Sequence, residues 1–66
     1  MRIEVWQADG PDWLHMAKMD LTSWGAVHEV APKHLAAIET QLQCVGEFIG
    51  GGGAIPYFRL TRICGR

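Results

Sequence analysis

Leu35, Ile38, Leu42, Val45 and Ile49 recur at spacings of three, four, three and four. That period describes one face of an α-helix and constrains the chain more than any other feature. Lys33, Thr40, Gln43 and Glu47 fall on the opposite side, so the segment is amphipathic. Pro32 suits a first helical position, where its missing N–H costs nothing, and it pushes Ala31 towards an extended conformation. Gly50 suits the left-handed position past a last turn. The spacing therefore predicts one long helix over 32–49, about 27 Å in length. Gly46 is its weak point, since glycine inside a helix costs about 1 kcal/mol relative to alanine. An isolated helix of this length is marginal in water, so the stripe must be buried against another element.

Length limits what that element can be. Sixty-six residues make one domain, 1–66. A chain of this size buries only about 60% of its extended surface. Such small domains usually need a staple or a partner. Two cysteines are too few for a disulfide framework, and a reducing compartment disfavours a Cys44–Cys64 bridge. Self-association is the remaining candidate.

Nearly half the residues are hydrophobic and one fifth charged, which argues against disorder. The net charge of −1 removes the main argument for nonspecific nucleic-acid binding. Charge is nevertheless uneven. Glu4, Asp9, Asp12, Asp20 and Glu29 outweigh Arg2 and Lys18 in the amino half, whereas Lys33, Arg59, Arg62 and Arg66 outweigh Glu39 and Glu47 in the carboxyl half. Met1 runs into Arg2-Ile3-Glu4-Val5 without an apolar leader, and no apolar run is long enough to span a bilayer. A cytoplasmic protein with no membrane partner is expected.

Around the helix, Arg2 to Gln7 alternates as a strand, with Ile3 and Val5 on one face and Arg2, Glu4 and Trp6 on the other. Ala8 to Asp12 is turn chemistry. The segment Trp13–Leu21 has two readings. As a helix it gathers Trp13, Leu14, Ala17, Leu21 and Trp24 on one arc. As a strand it completes a hairpin through the Asp9-Gly10 turn, with Trp13, His15, Ala17, Met19 and Leu21 sharing a face. The balance favours the hairpin. Thr22 to Gly25 reads as a second turn and Ala26 to Val30 as a short third strand stopped by Pro32. Gly50 to Pro56 reads as a flexible return into a last strand from Tyr57 to Cys64, with Phe58 and Leu60 on one side and Tyr57, Arg59 and Thr61 on the other. The expected class is α+β. It is a small two-layer sandwich in which an antiparallel sheet of three to four strands packs on the helix. The order is β-β-β-α-β, or β-α-β-α-β if the second segment is helical.

No catalytic, cofactor or metal set emerges. The glycines Gly50 to Gly53 follow a helix, whereas a phosphate-binding loop precedes one. His15, His28, His34, Cys44 and Cys64 lack zinc-ligand spacing. Cys44 lies beside the apolar stripe, where thiols are inert, and Ser23 is the only serine. The expectation is a non-enzymatic protein-binding module that occupies a surface on a larger protein or complex. Trp6, Tyr57 and Arg59 on the far sheet face and the acids Asp9, Asp12 and Asp20 are the candidate contact residues. No motif ties the chain to a named family; proteins of this size and near-neutral charge are common among phage and mobile-element products, including inhibitors of host defence of the anti-CRISPR type. A nucleic-acid accessory domain using Tyr57, Arg59 and Arg62, and a structural homodimer, are the alternatives.

Overall fold

The turn at Gly10-Pro11 joins two strands, β1 (Arg2–Asp9) and β2 (Asp12–Asp20), into the expected hairpin. The computed structural model, which describes residues 1–63, continues with α1 (Leu21–Val27), α2 (Pro32–Val45), β3 (Glu47–Gly52) and β4 (Ile55–Arg62). The fold is a small α+β structure: a four-stranded antiparallel sheet in the order β2-β1-β4-β3, with two helices. Both helices lie on one face. Leu21 and Trp24 of α1 and Ile38 and Leu42 of α2 meet Ile3 and Leu60 of the central strands in the buried core. Among the described residues no helix is long and apolar enough to cross a membrane.

Three expectations about the elements are corrected. The long helix ends at Val45, four residues early. Gly46 takes the left-handed position, with φ 88°, and its N–H donates to the Leu42 carbonyl at 3.0 Å. The apparent weak point of the helix is therefore its stop. Of the predicted stripe, Ile38 and Leu42 are buried and Leu35 half-buried, while Val45 is exposed and Ile49 belongs to a strand.

The expected turn at 22–25 and third strand at 26–30 are instead α1 and its exit. Helical winding puts Leu21, Trp24 and Gly25 on one buried face, which a turn would leave in water. Gly25 lets α2 approach closely, because a Cβ there would lie 2.9 Å from the Leu35 methyls. The helix closes with a double bond pattern. Val30 N–H donates to Gly25 O at 2.9 Å and Glu29 N–H to Ala26 O at 3.3 Å, with Glu29 at φ 54°.

The glycine run is not a loose return. Phe48 to Gly52 pairs with β4, and the run forms the end of β3 and the turn of a second hairpin. Gly51, at φ 91°, passes so close to the Pro56 carbonyl that no Cβ fits. The order β-β-β-α-β thus becomes β-β-α-α-β-β.

One irregularity decides which side chains leave the core. Val5 pairs with Ala17 but Trp6 pairs with His15, so Met16 is an extra residue in β2, a bulge. Beyond it the facing of β2 reverses. Ala17 and Met19 face the helices, whereas His15 and Trp13 join Trp6 on the bare face, contrary to the single face expected for all of them.

Candidate functional site: the bare sheet face

The helices leave one sheet face uncovered, and its centre is built around Arg59. This residue is the register partner of Trp6 on the neighbouring central strand. Its guanidinium carbon lies 5.0 Å from the Trp6 ring centroid. The guanidinium also reaches across β1 to Trp13, at 5.1 Å. A cation over two indole rings is attracted by the negative face of each. Trp6 is fixed in turn. Its Nε1–H donates to Thr61 Oγ1 at 2.9 Å, and its ring meets His15 edge-on with centroids 4.7 Å apart. His15 completes the row, its Nε2–H donating to Glu4 Oε2 at 3.1 Å. The result is an ordered chain from Glu4 through His15, Trp6 and Arg59 to Trp13 on open strand surface.

Charge on this face is balanced. By strand alternation Arg2, Lys18 and Arg59 share it with Glu4, Asp20 and Glu47. Arg2 stands opposite Asp20 and Lys18 opposite Glu4, while Glu47 Oε1 lies 3.9 Å from Arg59 Nη1.

The structure brings some of the expected contact residues together and separates others. Trp6 and Arg59 stack, and alternation puts Tyr57, which is exposed, on the same face towards the hairpin turns. Asp9 and Asp12 are register partners flanking the first of those turns. Asp20 is at the opposite end of β2, about 26 Å away along the strand. It precedes α1, with the Met1 amino group 3.6 Å from its carboxylate. Arg62, grouped with Arg59 in the nucleic-acid alternative, faces the other way. Its Nη1–H donates to the Gln43 carbonyl at 3.1 Å, at the carboxyl end of α2. Two arginines an odd number of residues apart on one strand cannot share a face. Trp13 and His15 are site residues that sequence reasoning placed elsewhere. The signal for them is the Met16 bulge, which no residue type announces.

A second surface lies on the helix side. Helix α1 has only seven residues and stops short of the hairpin turns. Beyond it a groove of about 540 Å³ opens between Met16, Val27, Val30, Ile55 and Phe58, with Trp24 at its floor. Met16, Val27 and Ile55 are exposed.

His28 and His34 are exposed, and His28 packs its ring on Trp24 at 5.0 Å. Cys44 is exposed rather than sheltered by the stripe, because α2 turns that side to solvent. The Cys44–Cys64 pairing and Arg66 fall outside the described residues. Among the described residues no cluster of three or more metal-ligating side chains occurs. No family model, curated protein or solved structure matches this chain.

Proposed function

We propose that this protein is a non-enzymatic binding module that occupies a surface of a larger protein or complex through its bare sheet face. The observation that supports this is the stack of Arg59 with Trp6 and Trp13, side chains fixed in place before any partner arrives. Tryptophan and arginine are the side chains that most often dominate binding energy, and preorganised ones lose least entropy on docking. The balanced charge of the face suits a protein better than a polyanion. Arg62, committed to the end of α2, adds nothing to a phosphate-binding strip there. In a cytoplasmic setting, chain size and near-neutral charge favour the inhibitor form of this reading: a phage or mobile-element product that sterically blocks a host defence complex.

The test is affinity capture from the native cell with the wild-type chain, Trp6→Ala, Arg59→Ala and Glu39→Ala. A specific partner should be lost from the first two variants and kept by the third, which alters an exposed position of α2 on the helix side. A hot-spot loss of about 2 kcal/mol corresponds to about thirtyfold in affinity. Equal capture by all four chains would remove this face as the contact surface.

Self-association is a second reading, favoured by the apolar groove and its exposed residues Met16, Val27 and Ile55. It requires a mass that rises with concentration in light scattering and falls back in Ile55→Asp. A strict monomer ends it.

A further inference from the structure

Arg59 has more binding capacity than the described chain uses. Its guanidinium carbon lies over two indoles, 5.0 Å from the Trp6 ring centroid and 5.1 Å from that of Trp13. A guanidinium stacked in this way keeps its in-plane N–H groups for acceptors. Nε is buried and has no hydrogen-bond partner among the described residues. Glu47 Oε1 is 3.9 Å from Nη1, beyond hydrogen-bonding distance. One quarter of the side chain remains accessible. With Nε sealed off, the terminal Nη groups are the way in.

The outer edge of a guanidinium matches the two oxygens of a carboxylate. A phosphate fits the same fork, but the surroundings discriminate. Glu47 at 3.9 Å and Glu4 on the same face repel a dianion more strongly than a monoanion. Lys18 and Arg2, which would help a phosphate chain, stand opposite Glu4 and Asp20 towards the other end of the sheet.

We propose that Arg59 is the receptor for a single aspartate or glutamate side chain of the partner protein. The carboxylate binds end-on to the two Nη groups, beside the indole edges, and displaces Glu47. This rests on the bare face being the docking surface and adds what the partner presents to it. Glu47 is an internal competitor for the same edge.

The full chain is labelled with ¹⁵N and titrated with a capped alanine-rich peptide that carries one glutamate. Its glutamine counterpart and inorganic phosphate serve as comparisons. The Arg59 Nε–H signal and the indole N–H signals of Trp6 and Trp13 should shift saturably with the glutamate peptide and not with the glutamine peptide. Glu47→Gln should tighten that binding about two- to fivefold, the worth of a surface ion pair. Arg59→Lys should weaken it about tenfold, because lysine keeps the charge and lacks the fork. Absence of a saturable shift at millimolar peptide, in both wild type and Glu47→Gln, overturns the proposal. A phosphate response equal to the glutamate response overturns it in favour of a general anion site. The two readings separate cleanly. Partner capture that depends on Trp6, without a carboxylate response, keeps the docking face and removes the receptor. A carboxylate response without any captured partner keeps the receptor and removes the docking function.

Discussion

Arg59 on β4 and Trp6 on β1 are register partners, with the guanidinium carbon of one 5.0 Å from the ring centroid of the other. The contact joins the two central strands on the side that no helix covers, so its energy is separable from that of the core. A double-mutant cycle with Arg59→Ala and Trp6→Leu, followed by urea unfolding, should give a coupling of about 0.5–2 kcal/mol. A coupling indistinguishable from zero would show that the stack adds no stability.

The bulge at Met16 turns Trp13 and His15 to the bare face. Met16 is itself half in solvent. Met16→Ala should therefore change stability by less than about 0.5 kcal/mol. Deleting Met16 removes the extra residue and leaves a regular ladder in which Ala17 and Met19 still face the helices and His15 and Trp13 the bare face. The deletion should therefore cost less than about 1 kcal/mol. Thermal melts check both variants, and near-ultraviolet circular dichroism should show the tryptophan–arginine stack retained in the deletion. A deletion that loses that signal and more than about 2 kcal/mol would refute the assigned register.

Glu29 holds φ 54° at the exit of α1, in the place where glycine usually closes this motif. A left-handed residue with a Cβ costs about 1–2 kcal/mol. Glycine removes that cost but loses about 0.5–1 kcal/mol through the freedom of the unfolded chain. Glu29→Gly should stabilise the protein by about 0.5–1 kcal/mol, raising the melting temperature by a few degrees. A lower melting temperature would contradict the assigned turn.

Leu42 and Val45 belong to the same apolar stripe, yet Leu42 is fully buried and Val45 is 67% exposed. Leu42→Ala should cost about 2–5 kcal/mol. With six buried hydrophobic side chains among the described residues, that is much of the total, so partial unfolding at room temperature is expected. Val45→Ala should be silent within about 0.5 kcal/mol. Equal losses at both positions would mean that the helix continues past Gly46.

The parts of the fold legible in sequence are those set by local chemistry. The first hairpin follows from its turn, the start of α2 from Pro32, the last strand from Tyr57-Phe58-Arg59, and the bare-face positions of Trp6 and Arg59 from plain alternation. The parts that were not legible depend on contacts distant in sequence. Gly46 and Gly50 both suit a helix stop, and β4 selects Gly46 by pairing with Phe48 and Ile49. Trp24 favours a helix because Ile3 and Leu60 wait on the sheet to cover it. Trp13 joined the site through a bulge defined only by the β1 pairing. Asp9, Asp12 and Asp20 form one acidic block in the chain, yet the extended β2 strand sets its last member far from the first two.

The central strands of the sheet are the first and the last, and the Trp6–Thr61 hydrogen bond joins residues 55 apart. During synthesis β1 can pair at once with β2, but its inner neighbour leaves the ribosome only after both helices and β3. The Arg59 stack is accordingly assembled last. A chain cut short before Tyr57 would lose the middle of its sheet rather than an edge, leaving the first hairpin, two helices and β3 without the strand that connects them. Fragments that end before Tyr57 should therefore be unfolded and degraded in the cell.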